Sequence, residues 1–362
     1  MQVPFADLKR GTAALRVDLD AAAARVLDSG WYVLGEEVKA FEAEFAAALG
    51  AGAAAGVGNG TDAIELALRV LGIGPGDEVV TQANTCIPTI SGIERSGATP
   101  VLCDVEPEAG TMDVASLEQA ISDRTKAIVP VHLYGQCAEM EPILALGLPV
   151  VEDCAQAHLA RYRDAVAGTM GVLGAFSFYP TKNLGAIGDG GAVVANDPEL
   201  AERARLLRMY GQAGRYEHVA HGVNSRLDEL QAALLRVKLP HLQAWHERRN
   251  AIADAYDAAL AGTPVAPLAR LPEREHAFHL YVVRAPQRDT FQAAMAAAGV
   301  GTLVHYPRAV HQHEPYRALG TGVPLANAER LAAEVVSLPM YPELSDAEVE
   351  TVAAAARSTA LA

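Results

Sequence analysis

The sequence predicts an α/β protein with three layers, a mostly parallel sheet between two layers of helices, followed by a smaller C-terminal α+β domain. Three observations carry that reading. Between residues 53 and 151 short apolar runs alternate with helix-period segments. Polar residues gather where those runs end, at Asn84 and Thr85, Asp104, His132 and Tyr134, and Glu152, Asp153, Gln156 and His158. Parallel sheets hold their ligands at those carboxyl ends. Finally, the stretch F-S-F-Y-P-T-K-N-L-G-A-I-G-D-G-G-A-V-V, residues 176–194, sets one lysine, Lys182, between two apolar runs.

An extended start leads into a helix pattern with Leu15, Leu19, Val26 and Leu27 on one face, closed by Asp28-Ser29-Gly30. In a second helix Val38, Phe41, Phe45 and Leu49 recur at helical spacing, and Gly50 stops it. Residues 53–57 read as a strand, Gly58-Asn59-Gly60-Thr61-Asp62 as a turn, and Ile64, Leu66, Leu68 and Leu71 as the helix that follows. Strands at 78–80, 100–102, 127–131 and 149–151 then alternate with helices at 87–95, 116–121 and 140–146. Beyond Val194 come a helix over 198–210, a polar loop to Asn224 and a helical stretch over 227–260 with a kink at Pro240. The domain change falls near His246, dividing the chain into a large domain, 1–245, and a small one, 246–362. The small domain carries a strand at 280–283, a helix at 290–298 and two last helices.

Composition narrows the function classes. A hydrophobic content of 51% without a run of eighteen apolar residues, and a start that lacks a basic segment followed by an apolar one, predict a cytoplasmic protein. The formal net charge of -15 opposes binding to nucleic acid or to an anionic membrane surface, which needs clustered Lys and Arg. Cys86, Cys103, Cys137 and Cys154 form no C-x-x-C pair, so no zinc or iron–sulfur site is expected and they read as small buried residues.

The chemistry lies in three places. Gly60 and Thr61 open a helix after a strand, where free backbone N–H groups can hold a phosphate or can simply form a capped turn. It is not a full G-x-G-x-x-G, and no acid for an adenosine ribose is recognisable, which sets aside a nicotinamide-binding dehydrogenase. Asp153 ends an apolar strand and Lys182 lies on a separate strand-turn. Together they form either an ion pair or a site for pyridoxal 5′-phosphate (PLP). In the second case Asp153 keeps a proton on the ring nitrogen, Lys182 forms a Schiff base with the aldehyde and later moves the substrate proton, and Ser177 joins the phosphate cradle.

Five motifs occur in order: N-G-T-D-A near residue 60, V-H-L-Y-G-Q at 131–136, V-E-D-C-A-Q-A-H at 151–158, F-S-F-Y-P-T-K-N-L-G at 176–185 and N-S-R-L-D-E at 224–229. This set resembles the nucleotide-sugar aminotransferases of the DegT group, within the fold-type I PLP-dependent enzymes. The resemblance implies that Lys182 is the Schiff-base lysine and acid/base, that Asp153 faces the pyridine nitrogen and that Gln156 bonds the ring's 3-hydroxyl. It implies that Thr61 and Asp62 hold the phosphate through their backbone together with Ser177. Asn224 is implied to reach the phosphate in a neighbouring subunit, which makes a homodimer the smallest complete enzyme. Tyr32, Tyr179, His305 and Tyr306 stand where sugar or nucleotide contacts are expected. Two positions depart from the group: Cys86 replaces a common aromatic residue that stacks on the cofactor ring, and Leu159 replaces a glycine. The implied activity is transfer of an amino group from L-glutamate to a keto-deoxysugar on a nucleotide diphosphate, dTDP above others, and L-Y-G-Q points to sugar carbon 3. The alternatives are an amino-cyclitol aminotransferase and a catalytically idle PLP-binding regulator; a sugar dehydratase of this fold is disfavoured because Lys182 is present without a cysteine cluster.

Overall fold

The computed structural model describes residues 1–361. Its centre is a sheet built from Ala53–Val57 (β1), Glu78–Gln82 (β2), Thr99–Cys103 (β3), Thr125–Val129 (β4), Val151–Asp153 (β5), Leu173–Ser177 (β6) and Gly191–Ala195 (β7). A parallel set in the order β3-β2-β4 meets the set β5-β6-β7-β1 through parallel bridges between Ile128 and Val150 and between Val131 and Asp153. Only β7 runs against its neighbours. The sheet is therefore mostly parallel, and its strands are apolar on both faces because helices cover both.

Helices Leu8–Ala14 (α1), Arg16–Ser29 (α2), Glu36–Leu49 (α3), Gly60–Val70 (α4), Ile87–Ser96 (α5), Val114–Ala120 (α6), Met140–Ala145 (α7), Pro198–Leu207 (α8) and Glu229–Lys238 (α9) surround it. The glycine stops predicted for the early helices hold: Gly30 and Gly50 end α2 and α3 in the left-handed conformation, at φ 65° and 70°. Leu27 does not join the buried face of α2 as its spacing suggested; it is exposed, while Leu15, Leu19 and Val26 pack against α9. The helix after β7 stops at Leu207 rather than at residue 210, because Tyr210 takes φ 60° and Met209 turns back to pair with Asn224.

Alternation along β6 explains the F-S-F motif. Phe176 and Phe178 point to one side and meet Phe41, Phe45 and His158 in edge-to-face contacts, with Phe45 5.1 Å from Phe176 and 5.2 Å from Phe178. Ser177 points to the other side, toward the start of α4. Each such aromatic pair adds about 0.5–1.5 kcal/mol beyond its buried area, so the strand that leads to Lys182 is anchored firmly. The glycines that follow shape the loop around Lys182. None of Gly185, Gly188, Gly190 and Gly191 has positive φ. What they permit is close approach: a Cβ on Gly185 would lie 2.4 Å from the Pro180 carbonyl oxygen, so only glycine lets the loop around Lys182 close.

Beyond α9 the chain passes through a short turn at Leu239–His241 into a long helix, Leu242–Leu260 (α10), in place of a simple kink at Pro240. Ala266–Pro267 (β8), Tyr281–Arg284 (β9) and Val335–Leu338 (β10) form an antiparallel sheet. Helices Arg288–Ala297 (α11), Ala326–Glu334 (α12) and Asp346–Leu361 (α13) accompany it. Ile252, Tyr256 and Leu260 of α10 share a core with Tyr281, Val283, Val352 and the N-terminal Val3, which is bridged to Val300. No helix of the described residues is long and apolar enough to cross a membrane.

Candidate active site

Lys182 sits in the loop between β6 and β7, on the turn that its sequence context predicted, and its backbone N–H donates to the Tyr179 carbonyl at 2.8 Å. Its ammonium makes no hydrogen bond or ion pair with a described residue. Burial lowers its pKa from the usual lysine value, with Cys86 and Asp153 opposing the shift through their charges. A lysine with a lowered pKa and no partner is a nucleophile held ready.

Across from it, Asp153 ends β5. One carboxylate oxygen accepts from the Thr89 hydroxyl at 2.8 Å and the other from the Ala155 N–H at 3.1 Å. Burial raises this carboxyl's pKa, while the Thr89 and Ala155 bonds and the Lys182 charge hold it down. Gln156 follows on the same strand exit; its Oε1 accepts from the Tyr134 N–H at 2.7 Å and its Nε2 donates to the Tyr306 hydroxyl at 3.1 Å. Tyr306 also contacts the Cys86 thiol, and burial pushes its pKa well up. The structure thus gathers Lys182, Asp153, Gln156, Cys86 and Tyr306 at the carboxyl ends of β5 and β6.

The start of α4 lies beside them. A Cβ on Gly60 would stand 2.7 Å from the Ser177 Cβ, so glycine alone allows the helix start to touch the Ser177 hydroxyl. Asn59 caps the helix by accepting from the Asp62 N–H at 2.9 Å. The Asp62 amide is thereby engaged by the cap, whereas the Gly60 and Thr61 amides have no acceptor among the described residues. The Asp62 carboxylate faces away, accepting from the Ser225 hydroxyl at 2.6 Å and pairing with Arg95 at 2.8 Å. A Gly60→Ala variant is expected to weaken PLP binding by roughly tenfold or more, since overpacking costs about 1–3 kcal/mol. Cofactor titration into the apoprotein measures it; unchanged affinity would remove Gly60 from the cradle.

Other predicted positions spread out. Tyr179 and His305 line a cavity with Lys182. His305 bonds Ser337 at 2.8 Å, and burial, then Lys182, lowers its pKa to about 4. Tyr32 and Asn224 are exposed and their side chains bond no described residue. Of the polar residues at strand ends, Asp104 instead receives the Asn327 and Ala328 amides at the start of α12, at 3.0 and 2.8 Å. His132 and Glu152 bond each other at 2.8 Å. With Cys154 they form the one group of possible metal ligands among the described residues. Glu152 is saturated, however, accepting also from the Gly168, Met170 and Gly171 amides, and the His132 Nδ1 accepts from Ala138. Leu159 adopts φ 62°, so the turn after β5 keeps the shape a glycine would take.

Sequence reasoning missed Thr89, which holds Asp153 and lies one helical turn beyond Cys86 on α5, and Asn183 with His279. Asn183 donates to the Ala277 carbonyl at 2.8 Å and its Oδ1 lies 3.3 Å from His279 Nδ1. Only the position of Asn183 beside Lys182 could have signalled it.

These features fit PLP. Two free amides and a hydroxyl at a helix start suit a phosphate, a fixed carboxylate suits a ring N–H, and an unpartnered lysine suits an aldehyde.

Comparison with known proteins agrees. The chain is 48% identical, over 99% of its length and 96% of the relative's, to a dTDP-3-amino-3,4,6-trideoxy-alpha-D-glucose transaminase of Streptomyces venezuelae. It is also 48% identical to the erythromycin biosynthesis sensory transduction protein EryC1 of Saccharopolyspora erythraea, over 99% of this chain and 100% of that one. The crystal structure of S. venezuelae DesV in complex with a ketimine intermediate superposes with a TM-score of 0.96 at 48% identity, covering 99% of this chain and 98% of that chain. With residues 14–357 matching the DegT/DnrJ/EryC1/StrS aminotransferase family over its length, and with Lys182, Asp153 and the Gly60 helix start assembled as described, this chain belongs to that family of PLP-dependent aminotransferases.

Proposed function

We propose that the protein transfers the amino group of L-glutamate to carbon 3 of a keto-deoxysugar carried on a nucleotide diphosphate, dTDP in the first place, as a step of amino-deoxysugar biosynthesis. The observation that carries this reading is the pairing of an unpartnered Lys182 with a fixed Asp153 beside the free amides of Gly60 and Thr61. The named activity of the S. venezuelae relative supports the sugar and the carbon.

Bound PLP supplies an aldehyde that takes the amino group and a protonated ring that stabilises charge on the carbon that loses its proton. The chain's residues do the rest. Lys182 would hold the aldehyde and, once released from it, would carry the substrate's proton, a task that its lowered pKa favours. Asp153, oriented by Thr89 and Ala155, would hold the ring N–H; Gln156 would bond the 3-hydroxyl; Gly60, Thr61 and Ser177 would hold the phosphate. Cys86, in contact with the Tyr306 hydroxyl, would lie against the ring. Tyr32, Tyr179, His305 and Tyr306 contact the sugar nucleotide. The working unit is a cytoplasmic homodimer in which Asn224 of one copy reaches the phosphate bound by the other. Residues 1–245 hold the cofactor and 246–362 form the smaller domain.

The expected result is a yellow holoenzyme whose visible band is lost when L-glutamate is added and returns with 2-oxoglutarate. The name of the EryC1 relative favours a second reading, a PLP-binding regulator without turnover. A yellow protein indifferent to every amino donor would support it, and a protein that stays colourless with PLP would overturn both.

A further inference from the structure

We propose that Arg249 is a preformed anchor for a carboxylate of the amino donor, set in the wall of the cavity onto which Lys182 opens. This rests on the aminotransferase reading above. The cavity, about 640 Å³, is lined by Lys182, Lys238, Arg249, His279, Tyr341 and Glu343 among others.

Arg249 lies on α10 and is only 5% exposed. Its Nη1 donates to the Phe278 and Met340 carbonyls, both at 2.9 Å, and reaches the His279 carbonyl at 3.5 Å. Nε is buried without an acceptor. Nη2 has none among the described residues either, so both donors of one guanidinium edge stand free. No carboxylate pairs with this cation; Glu343 acts on it only through space. Burial lowers its pKa to about 10, which leaves it charged at neutral pH. A buried unpaired cation is costly unless an anion completes it, and the unpartnered Nη2 offers a charged donor to a carboxylate oxygen.

Position favours the donor over the nucleotide. Lys182, Asn183, Arg249 and His279 line one cavity. Arg249 Nη1 reaches the His279 carbonyl at 3.5 Å and the His279 ring lies 3.3 Å from the Oδ1 of Asn183, the residue after Lys182, so the guanidinium and the reacting amine flank one part of it. A carboxylate joined to the amine-bearing carbon needs that proximity, whereas a diphosphate stands several bonds farther from the sugar's carbonyl. Lys238 adds a second cation, its Nζ bonded to the Gly185 carbonyl at 2.6 Å. With a net charge of -15 the chain as a whole repels anions, so these local cations must do the attracting.

The test titrates glutarate, which has both carboxylates of glutamate and no amine, into the PLP holoenzyme by calorimetry, with inorganic pyrophosphate as the comparison anion. Arg249→Gln is expected to weaken glutarate by about tenfold or more, with Arg249→Lys between it and the wild type and pyrophosphate little changed. Glu343→Gln, which removes the one carboxylate acting on Arg249, is expected to tighten glutarate by about two- to fivefold. This second variant decides the matter if Arg249→Gln does not fold. No glutarate binding to the wild type, equal binding to a folded Arg249→Gln, weaker binding to Glu343→Gln, or a loss confined to pyrophosphate would each overturn the assignment. Because glutarate cannot transfer an amine, its Arg249-dependent binding to a protein that ignores L-glutamate would sink the proposed donor and leave the carboxylate anchor standing.

Discussion

Lys182→Ala is expected to eliminate amino transfer, with turnover falling by about 10⁴-fold or more, because one residue supplies both the nucleophile and the proton carrier. The same variant should lose the yellow colour of the holoenzyme while the apoprotein's melting temperature stays level or rises. That separation follows from the geometry. The ammonium has no bond to lose, and removing an unpartnered, desolvated charge relieves a cost. A spectrophotometric half-reaction with L-glutamate, beside a melting curve of each apoprotein, measures both. Turnover retained above a hundredth of the wild-type value would remove Lys182 from the chemistry. A large loss of apoprotein stability would instead make it a structural residue.

The second large effect is on stability. Glu152 is fully buried, and its two oxygens accept from Gly168 at 2.8 Å, from Met170 and Gly171 at 2.7 Å each, and from His132 at 2.8 Å. These bonds tie β5 to the turn that precedes β6, and so fix the strand that ends in Asp153 and the strand that leads to Lys182. Glu152→Ala leaves three amides and an imidazole without partners in a dry interior. The expected cost is about 3–5 kcal/mol, which lowers the melting temperature by roughly 4–7 °C. Glu152→Gln keeps the shape but turns an NH₂ toward N–H donors and should recover little of that loss. Melting within a degree or two of the wild type for Glu152→Ala would refute the account and reopen this cluster as a ligand site.

The contrast between Glu152 and its neighbour Asp153 shows how much the chain discloses by itself. Both stand at the end of one apolar strand, and local pattern treats them alike. Alternation turns them to opposite faces of β5. One is consumed by the turn at 168–171, and the other is turned by Thr89, sixty-four residues earlier in the chain, toward Lys182. The N-S-R-L-D-E motif shows the same division: Ser225 braces Asp62 and Gly58, and Glu229 caps the start of α3 by accepting from Gly35 and Val38, while Asn224 and Asp228 are left facing outward.

What the sequence determined by itself was the alternation that makes a mostly parallel sheet, the helix start at Gly60, the anchoring of a lysine by Phe176 and Phe178, and the set of motifs that identifies the family. These are properties of period, of small turns and of short ordered strings, and each is written in consecutive residues. Only the tertiary structure decided which polar groups at the strand ends remain free. It spent the Asp62 amide on Asn59, the Asp104 carboxylate on α12 and the His132 ring on Glu152, and it left Lys182 and one edge of Arg249 without partners. The physical reason is that hydrogen-bond satisfaction is settled between elements far apart in the chain, whose meeting no local periodicity records.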